Sequence, residues 1–232
     1  MDKTRIPIFI PASPKDQLKL KYCIRQAAKH IPECGDFYIS VPDKTNFKDY
    51  EEDGHKVFFF DDFDLVPLKN WLGVCRFRPN WIAQQLIKLL QPVTPDKIYF
   101  CLDADCLICK EMSLLEDGKL RLFEAPNSND EAAFQRFIAQ MSGGELAEFT
   151  TAQKCTTRWI ADMQLFDRNI IEEIVLRYFP SANDFVRFTI SSTYWRKNDT
   201  RHSCFISEYQ MYGQFVEKFH KDSAIPHSFL RR

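Results

Sequence analysis

The chain has 232 residues, with 31 Lys and Arg against 32 Asp and Glu, and is 45% hydrophobic and 27% charged. This is enough chain for a sizeable core, and the composition excludes a disordered polyelectrolyte and gives no basic surface for nucleic acid. With only 7 glycines, neither the G-x-G-x-x-G dinucleotide fingerprint nor the G-x-x-x-x-G-K phosphate loop can be written anywhere along it.

In chain order, the apolar run IPIFIP at 6–11 reads as a strand, broken by Pro11 and Pro14. Leu18, Leu20, Tyr22, Ile24 and Ala27 predict a helix from Asp16 to His30, stopping near Pro32. FYISV at 37–41 and VFFF at 57–60 are the next strands. WIAQQLIKLL at 81–90 is helical, with Ile82, Leu86, Leu89 and Leu90 on one face, and IYFCL at 98–102 is the clearest buried strand. In the second half, strands are expected at 121–125 and 163–167 and helices at 130–142 and 169–178. The stretch 204–220 places Tyr209, Tyr212, Phe215, Val216 and Phe219 at helical spacing. The alternation is that of an α/β protein with a central, mostly parallel sheet flanked by helices. No repeat or linker interrupts it, so one domain over 1–232 is the expected organisation.

The N-terminus has no apolar stretch of signal-peptide length, and no run approaches a membrane span of roughly 18–20 residues. A cytoplasmic protein with reduced thiols is therefore expected. Cys101, Cys106 and Cys109 mimic an iron–sulfur spacing, C-x4-C-x2-C. Their strand-like, acidic setting favours core cysteines instead.

The sharpest signal is I-Y-F-C-L-D-A-D-C-L-I-C at 98–109. In an extended chain Asp103 and Asp105 leave the same face, at the rim of the core. Two such carboxylates repel, and a divalent cation relieves the conflict. Mg²⁺ or Mn²⁺ suits oxygen ligands and completes its shell with water and substrate phosphates. The expected chemistry is a metal–diphosphate bridge at the carboxyl end of a sheet strand, where α/β proteins bind ligands. A solvated acidic turn is the plain structural alternative.

The D-x-D motif in this setting resembles the GT-A class of nucleotide-sugar-dependent glycosyltransferases. More narrowly, IPASPKD within 7–16, NWIAQQLIKLL (80–90), LDADCLI (102–108), DMQLFDRNII (162–171) and ISEYQMYGQFV (206–216) resemble a family of small GT-A transferases of bacterial and viral type. The likeness to glycogenin-like enzymes is more distant. The family pattern has histidine at position 162, where this chain has Asp.

The resemblance implies a GT-A fold, a UDP-sugar donor and Mn²⁺ or Mg²⁺ on Asp103 and Asp105 around Ala104. It implies that Lys88, otherwise an ordinary solvated helix lysine, is directed at the donor phosphates or sugar, with Arg76 or Arg78 as helpers. Pro11, Ala12 and Ser13 would leave room for the nucleoside. Asp16 is either a base or ribose contact or a helix cap, and Asp43 is either such a contact or a turn residue. Gln85 or its neighbour Gln84 would reach the donor sugar, because an amide both donates and accepts. Glu208 is a candidate general base toward the acceptor, or with Ser207 only a helix start. Asp162 is the competing carboxylate for the acceptor or donor sugar. His227, or His220, would be a third metal ligand. Trp71, Trp81, Trp159 and Trp195 are candidates for stacking on sugar.

The expected activity is transfer of a sugar from a nucleotide-diphosphate donor to an acceptor hydroxyl, in polysaccharide or glycan synthesis. Two alternatives are a non-catalytic carbohydrate- or nucleotide-sugar-binding protein on the same fold, and a sugar-nucleotide pyrophosphorylase. The latter is disfavoured because ASPKD, after the first strand, has no glycine to clasp a triphosphate.

Overall fold

The computed structural model describes residues 4–62, 78–91, 93–124, 131–146, 159, 162–194 and 203–228. In chain order the elements are β1 (Ile6–Pro11), α1 (Gln17–His30), β2 (Cys34–Val41), β3 (Tyr50–Glu52), β4 (His55–Asp61), α2 (Pro79–Leu90) and β5 (Ile98–Leu102). They continue as β6 (Leu115–Glu116), β7 (Lys119–Glu124), α3 (Glu131–Met141), β8 (Met163–Asp167), α4 (Arg168–Tyr178), α5 (Ala182–Ser192), α6 (Glu208–Phe219) and β9 (Ala224–Ser228).

Six strands form a mixed central sheet in the order β3-β4-β2-β1-β5-β8. β4, β2, β1 and β5 run parallel, and β3 and β8 are antiparallel edges. The two-residue period of the strands divides the core. Ile8, Ile10, Phe37, Ile39, Phe100 and Leu102 face α1, which presents Leu20, Cys23, Ile24 and Ala27. Phe9, Tyr99, Cys101 and Phe166 face the other way, against α2 to α6. A small sheet, β6-β7-β9, packs on the α1 side, where Phe123 meets Phe100 edge to face at 5.7 Å. Gln164, fully buried on β8, ties the sheets together by accepting from Phe123 N at 3.1 Å.

Every strand and helix expected from periodicity is present, with ends moved by up to four residues, as at α6, which starts at Glu208. β3, β6, β9 and α5 were not expected. The first three are too short, or too broken by charge and proline, to show a period of two. α5 starts where Ser181 Oγ accepts from Asp184 N at 3.2 Å, an N-cap signal with a polar helix surface behind it. Among the described residues, no helix is long and apolar enough to cross a membrane.

α6 is the most enclosed helix: every residue from Glu208 to Val216 is buried. Gly213 allows this, since a Cβ there would lie 2.0 Å from Trp159 Cγ. Alanine would ordinarily strengthen a helix by about 1 kcal/mol over glycine. Gly213→Ala is instead expected to lower stability by about 1–3 kcal/mol through overpacking, read as a lower urea midpoint.

Candidate active site

From β1 the chain lays β2 and β4 on one side and later returns to place β5 on the other, so the strand order reverses between β1 and β5. A crevice forms at the carboxyl ends of parallel strands at such a switch point. Pro11 ends β1 there, and Asp103 directly follows Leu102, the last residue of β5.

The acidic pair does not share a strand face as the extended reading requires. β5 ends before it, and Cys106 N donates to Asp103 O at 3.0 Å, which makes Asp103–Cys106 a tight turn. Aspartate is a favoured first residue of such a turn. The Asp103 side chain is therefore largely enclosed, at 21% exposure, while that of Asp105 is open at 60%. Ala104 between them is buried.

Asp103 is held from below by an ion-paired cluster. Lys88 Nζ, on α2, lies 2.6 Å from Asp103 Oδ1 and 2.7 Å from Glu208 Oε1 on α6. Both Lys88 and Glu208 are almost fully buried. The ammonium also sits 4.3 Å from the centroid of the Tyr209 ring, whose hydroxyl donates to Asp103 Oδ1 at 3.4 Å. Gln85, one turn before Lys88, is buried with its amide against the Glu208 carboxylate, where an amide turned nitrogen-inward would donate to it. Tyr99 OH donates to the Lys88 carbonyl at 2.6 Å, pinning α2 to β5.

Burial alone would lower the Lys88 pKa, but Asp103 and Glu208 outweigh it and hold the pKa above the ordinary lysine value. Lys88 is a fixed cation. Burial raises the Glu208 pKa, and Lys88 opposes that shift.

These positions correct three expectations. Lys88 is neither a solvated helix lysine nor free to reach across to a donor; two carboxylates hold it. Glu208 is enclosed and ion-paired, so it does not present a base to an acceptor, although Ser207 does cap its helix by accepting from Gln210 N at 3.4 Å. Gln85 is committed to Glu208, away from any donor sugar. Tyr209, read from the sequence only as core, is a working member of the cluster.

Asp162 directly precedes β8, the edge strand beside β5. It is exposed, and its φ of 57° lies in the left-handed region that aspartate tolerates better than most residues. Its carbonyl accepts from Asp103 N at 3.1 Å, so the two acids share one piece of backbone. Partial burial raises its pKa, with repulsion from Asp103 and Asp105 adding to the shift and Lys88 opposing it. On the α1 side, Lys19 stands 3.6 Å from Asp105 and 3.8 Å from Asp16.

The remaining expected residues divide by use. Pro11 is buried in β1, and Ala12 N donates to Ser40 O at 2.8 Å; Ala12 and Ser13 are half-buried beside the crevice. Asp16 makes no side-chain cap bond to α1. Asp43 is spent on a turn: its carboxylate accepts from Thr45 N at 2.9 Å and Thr45 Oγ1 at 2.7 Å, and these bonds lower its pKa.

Arg78 lies 5.6 Å from the Trp81 ring centroid at the start of α2, and Trp159 is buried against α6. Arg76, Trp71 and Trp195 lie outside the described residues. His220 pairs with Glu173 at 2.9 Å, which corrects its candidacy as a ligand. His227 sits on β9 opposite Phe123, and its side chain is outside the described residues. Cys101 is buried on β5, and burial pushes the Cys106 thiol up to about 12. Cys106 is half-buried and Cys109 exposed, because both lie beyond the end of β5, so of the three only Cys101 is the core cysteine expected.

Among the described residues, no group of three or more His, Cys, Asp or Glu side chains is arranged as a metal cage. What is present suits a less demanding site. Mg²⁺-type ions are commonly held by one or two carboxylates plus substrate phosphates, and Asp105, two residues after Asp103, has an open carboxylate. No protein-family model matches the chain, and no curated protein does either.

Lys88→Met leaves Glu208 buried without its cation and is expected to cost about 3–5 kcal/mol in urea denaturation. Asp162→Asn has the opposite sign. A carboxyl whose pKa is raised in the folded state loses stability as pH rises through that pKa. The Asn variant should therefore be more stable than the parent at neutral pH by roughly 0.2–1 kcal/mol, with the gain vanishing as pH falls through the carboxylate range. Thermal melts at pH 3.5 and pH 7.5 check both sign and window.

Proposed function

We propose that this protein is a metal-dependent glycosyltransferase of the GT-A class, moving a sugar from a UDP-sugar donor to an acceptor hydroxyl. The observation that carries the reading is the placement of Asp103 at the carboxyl end of β5, beside the β1–β5 switch point and locked by Lys88 and Tyr209.

Asp103, Asp105 and Asp162 are near enough to repel one another, and the cations beside them are Lys88 and Lys19. The excess negative charge favours a bound divalent cation. Asp103 and Asp105 would hold Mn²⁺ or Mg²⁺. The ion supplies Lewis-acid stabilisation of the departing diphosphate.

Lys88 acts beneath the site by fixing the Asp103 oxygen before any ligand arrives, so little reorganisation remains at the moment of reaction. Ala12 and Ser13, small and at the end of β1, leave space for the nucleoside. Asp162 is the exposed carboxylate whose raised pKa suits it to accept a hydrogen bond from a sugar hydroxyl or a proton from the acceptor.

Calorimetry with UDP, with and without Mn²⁺, tests the proposal. UDP is expected to bind only with the metal, and Asp103→Ala should weaken that binding by more than tenfold while the fold persists. Equal affinity without metal, or in Asp103→Ala, contradicts it.

A further inference from the structure

On the far side of α1 from the crevice, a cleft of about 320 Å³ opens between the first turn of α1, the Lys44–Asn46 turn, β3 and β4. Helical geometry separates the two places. At about 100° per residue, Gln17 and Lys21 project roughly 160° away from Lys19, and Lys19 is the residue that meets Asp105.

The cleft has a floor of Leu20, Phe47 and Phe59 and a rim that includes Gln17, Asn46 and Tyr50. Phe47 and Phe59 stack with centroids 4.9 Å apart and planes 23° apart, and Tyr50 lies 6.3 Å from Phe59 at 30°. Phe59 thus packs against both Phe47 and Tyr50, and Tyr50 remains 37% exposed at the edge of the cluster.

We propose that this cleft binds a short oligosaccharide. The C–H face of a pyranose is apolar and lies flat on an aromatic ring, while its hydroxyls need paired donors and acceptors around the edge. Tyr50, the exposed ring, supplies the face, and the amides of Gln17 and Asn46 supply the edge.

The volume is at the lower end of the roughly 300–1,000 Å³ of small-molecule sites, so one or two sugar units fill it. The open rim is wrong for a purely apolar ligand, which needs enclosure. Glu52, also on the rim, is answered by Arg25 at 2.7 Å. The rim also carries Lys21 and Lys48, which the phosphate arm of the test addresses.

The binding site is independent of the proposed donor site. Its use would be to hold an acceptor chain, and only that use rests on the transferase reading.

The test is amide chemical-shift mapping on the full ¹⁵N-labelled chain, without nucleotide or metal. The probes are maltohexaose, cellohexaose, mannohexaose and chitohexaose, with inorganic phosphate as a separate arm. At least one saccharide is expected to move the signals of Gln17, Asn46, Phe47 and Tyr50 while leaving Asp103–Cys106 and Asp162 still. Tyr50→Ala and Asn46→Ala should each weaken binding by about threefold to tenfold, as loss of a stacking or amide contact implies. Asp103→Ala should give the parent's shifts, which separates this result from any failure of UDP binding. The proposal is overturned if no saccharide moves those signals at millimolar concentration, if the shifts map to the Asp103 turn, or if phosphate alone reproduces them.

Discussion

A lysine ammonium with almost no access to water must be answered by anions, and Lys88 is answered by two. Burying a charge costs several kcal/mol even after relaxation, and good geometry on both sides is needed to offset it. Lys88 meets that demand with Asp103 at 2.6 Å, Glu208 at 2.7 Å and the face of Tyr209. These partners come from a strand end and a late helix, 15 and 120 residues further along the chain. α2, β5 and α6 must therefore all be in place before the ammonium is satisfied, so the cluster favours one arrangement of these elements over others.

The same interaction links the core to the crevice. Glu208, Gln85 and Lys88 lie inside, and only Asp103 carries the cluster outward to the switch point. In this arrangement one oxygen of Asp103 is committed inward, to Lys88 and Tyr209. Asp105, 3.6 Å from Lys19, and Asp162 are the more exposed members. A site with one anchored carboxylate and two more exposed ones suits an ion whose shell is completed by its substrate.

Much of the fold was legible because its strands alternate cleanly: Ile8 and Ile10 against Phe9, and Phe100 and Leu102 against Tyr99 and Cys101. The helices α1, α2, α4 and α6 follow from apolar spacing. Legibility failed where the signal is short, as at β3 and β6, or where position is set by partners, as with β8 running antiparallel beside β5. At the candidate site Asp103 and Asp105 were singled out from type and spacing, and Asp162 through the family resemblance. The geometry of Asp103 and Asp105 was not, because the turn at Asp103–Cys106 breaks the strand that the spacing suggested. Lys88, Gln85 and Glu208 were singled out, but as ligand-facing groups. Nothing in a linear chain shows that a lysine on one helix and a glutamate 120 residues later neutralise each other inside the core. The periodic placement of Gln85 and Lys88, one turn apart on an apolar helix face, was the one available hint that both point inward.

The most direct measurement is a double-mutant cycle between Lys88 and Asp103, using Lys88→Met, Asp103→Asn and the double variant in urea denaturation. If the buried ammonium holds the crevice carboxylate, the double variant will lose less stability than the two single losses together, by a coupling of about 1–3 kcal/mol. Losses that add within about 0.5 kcal/mol would show that the two groups are neighbours without being partners, and the site would lose its anchor.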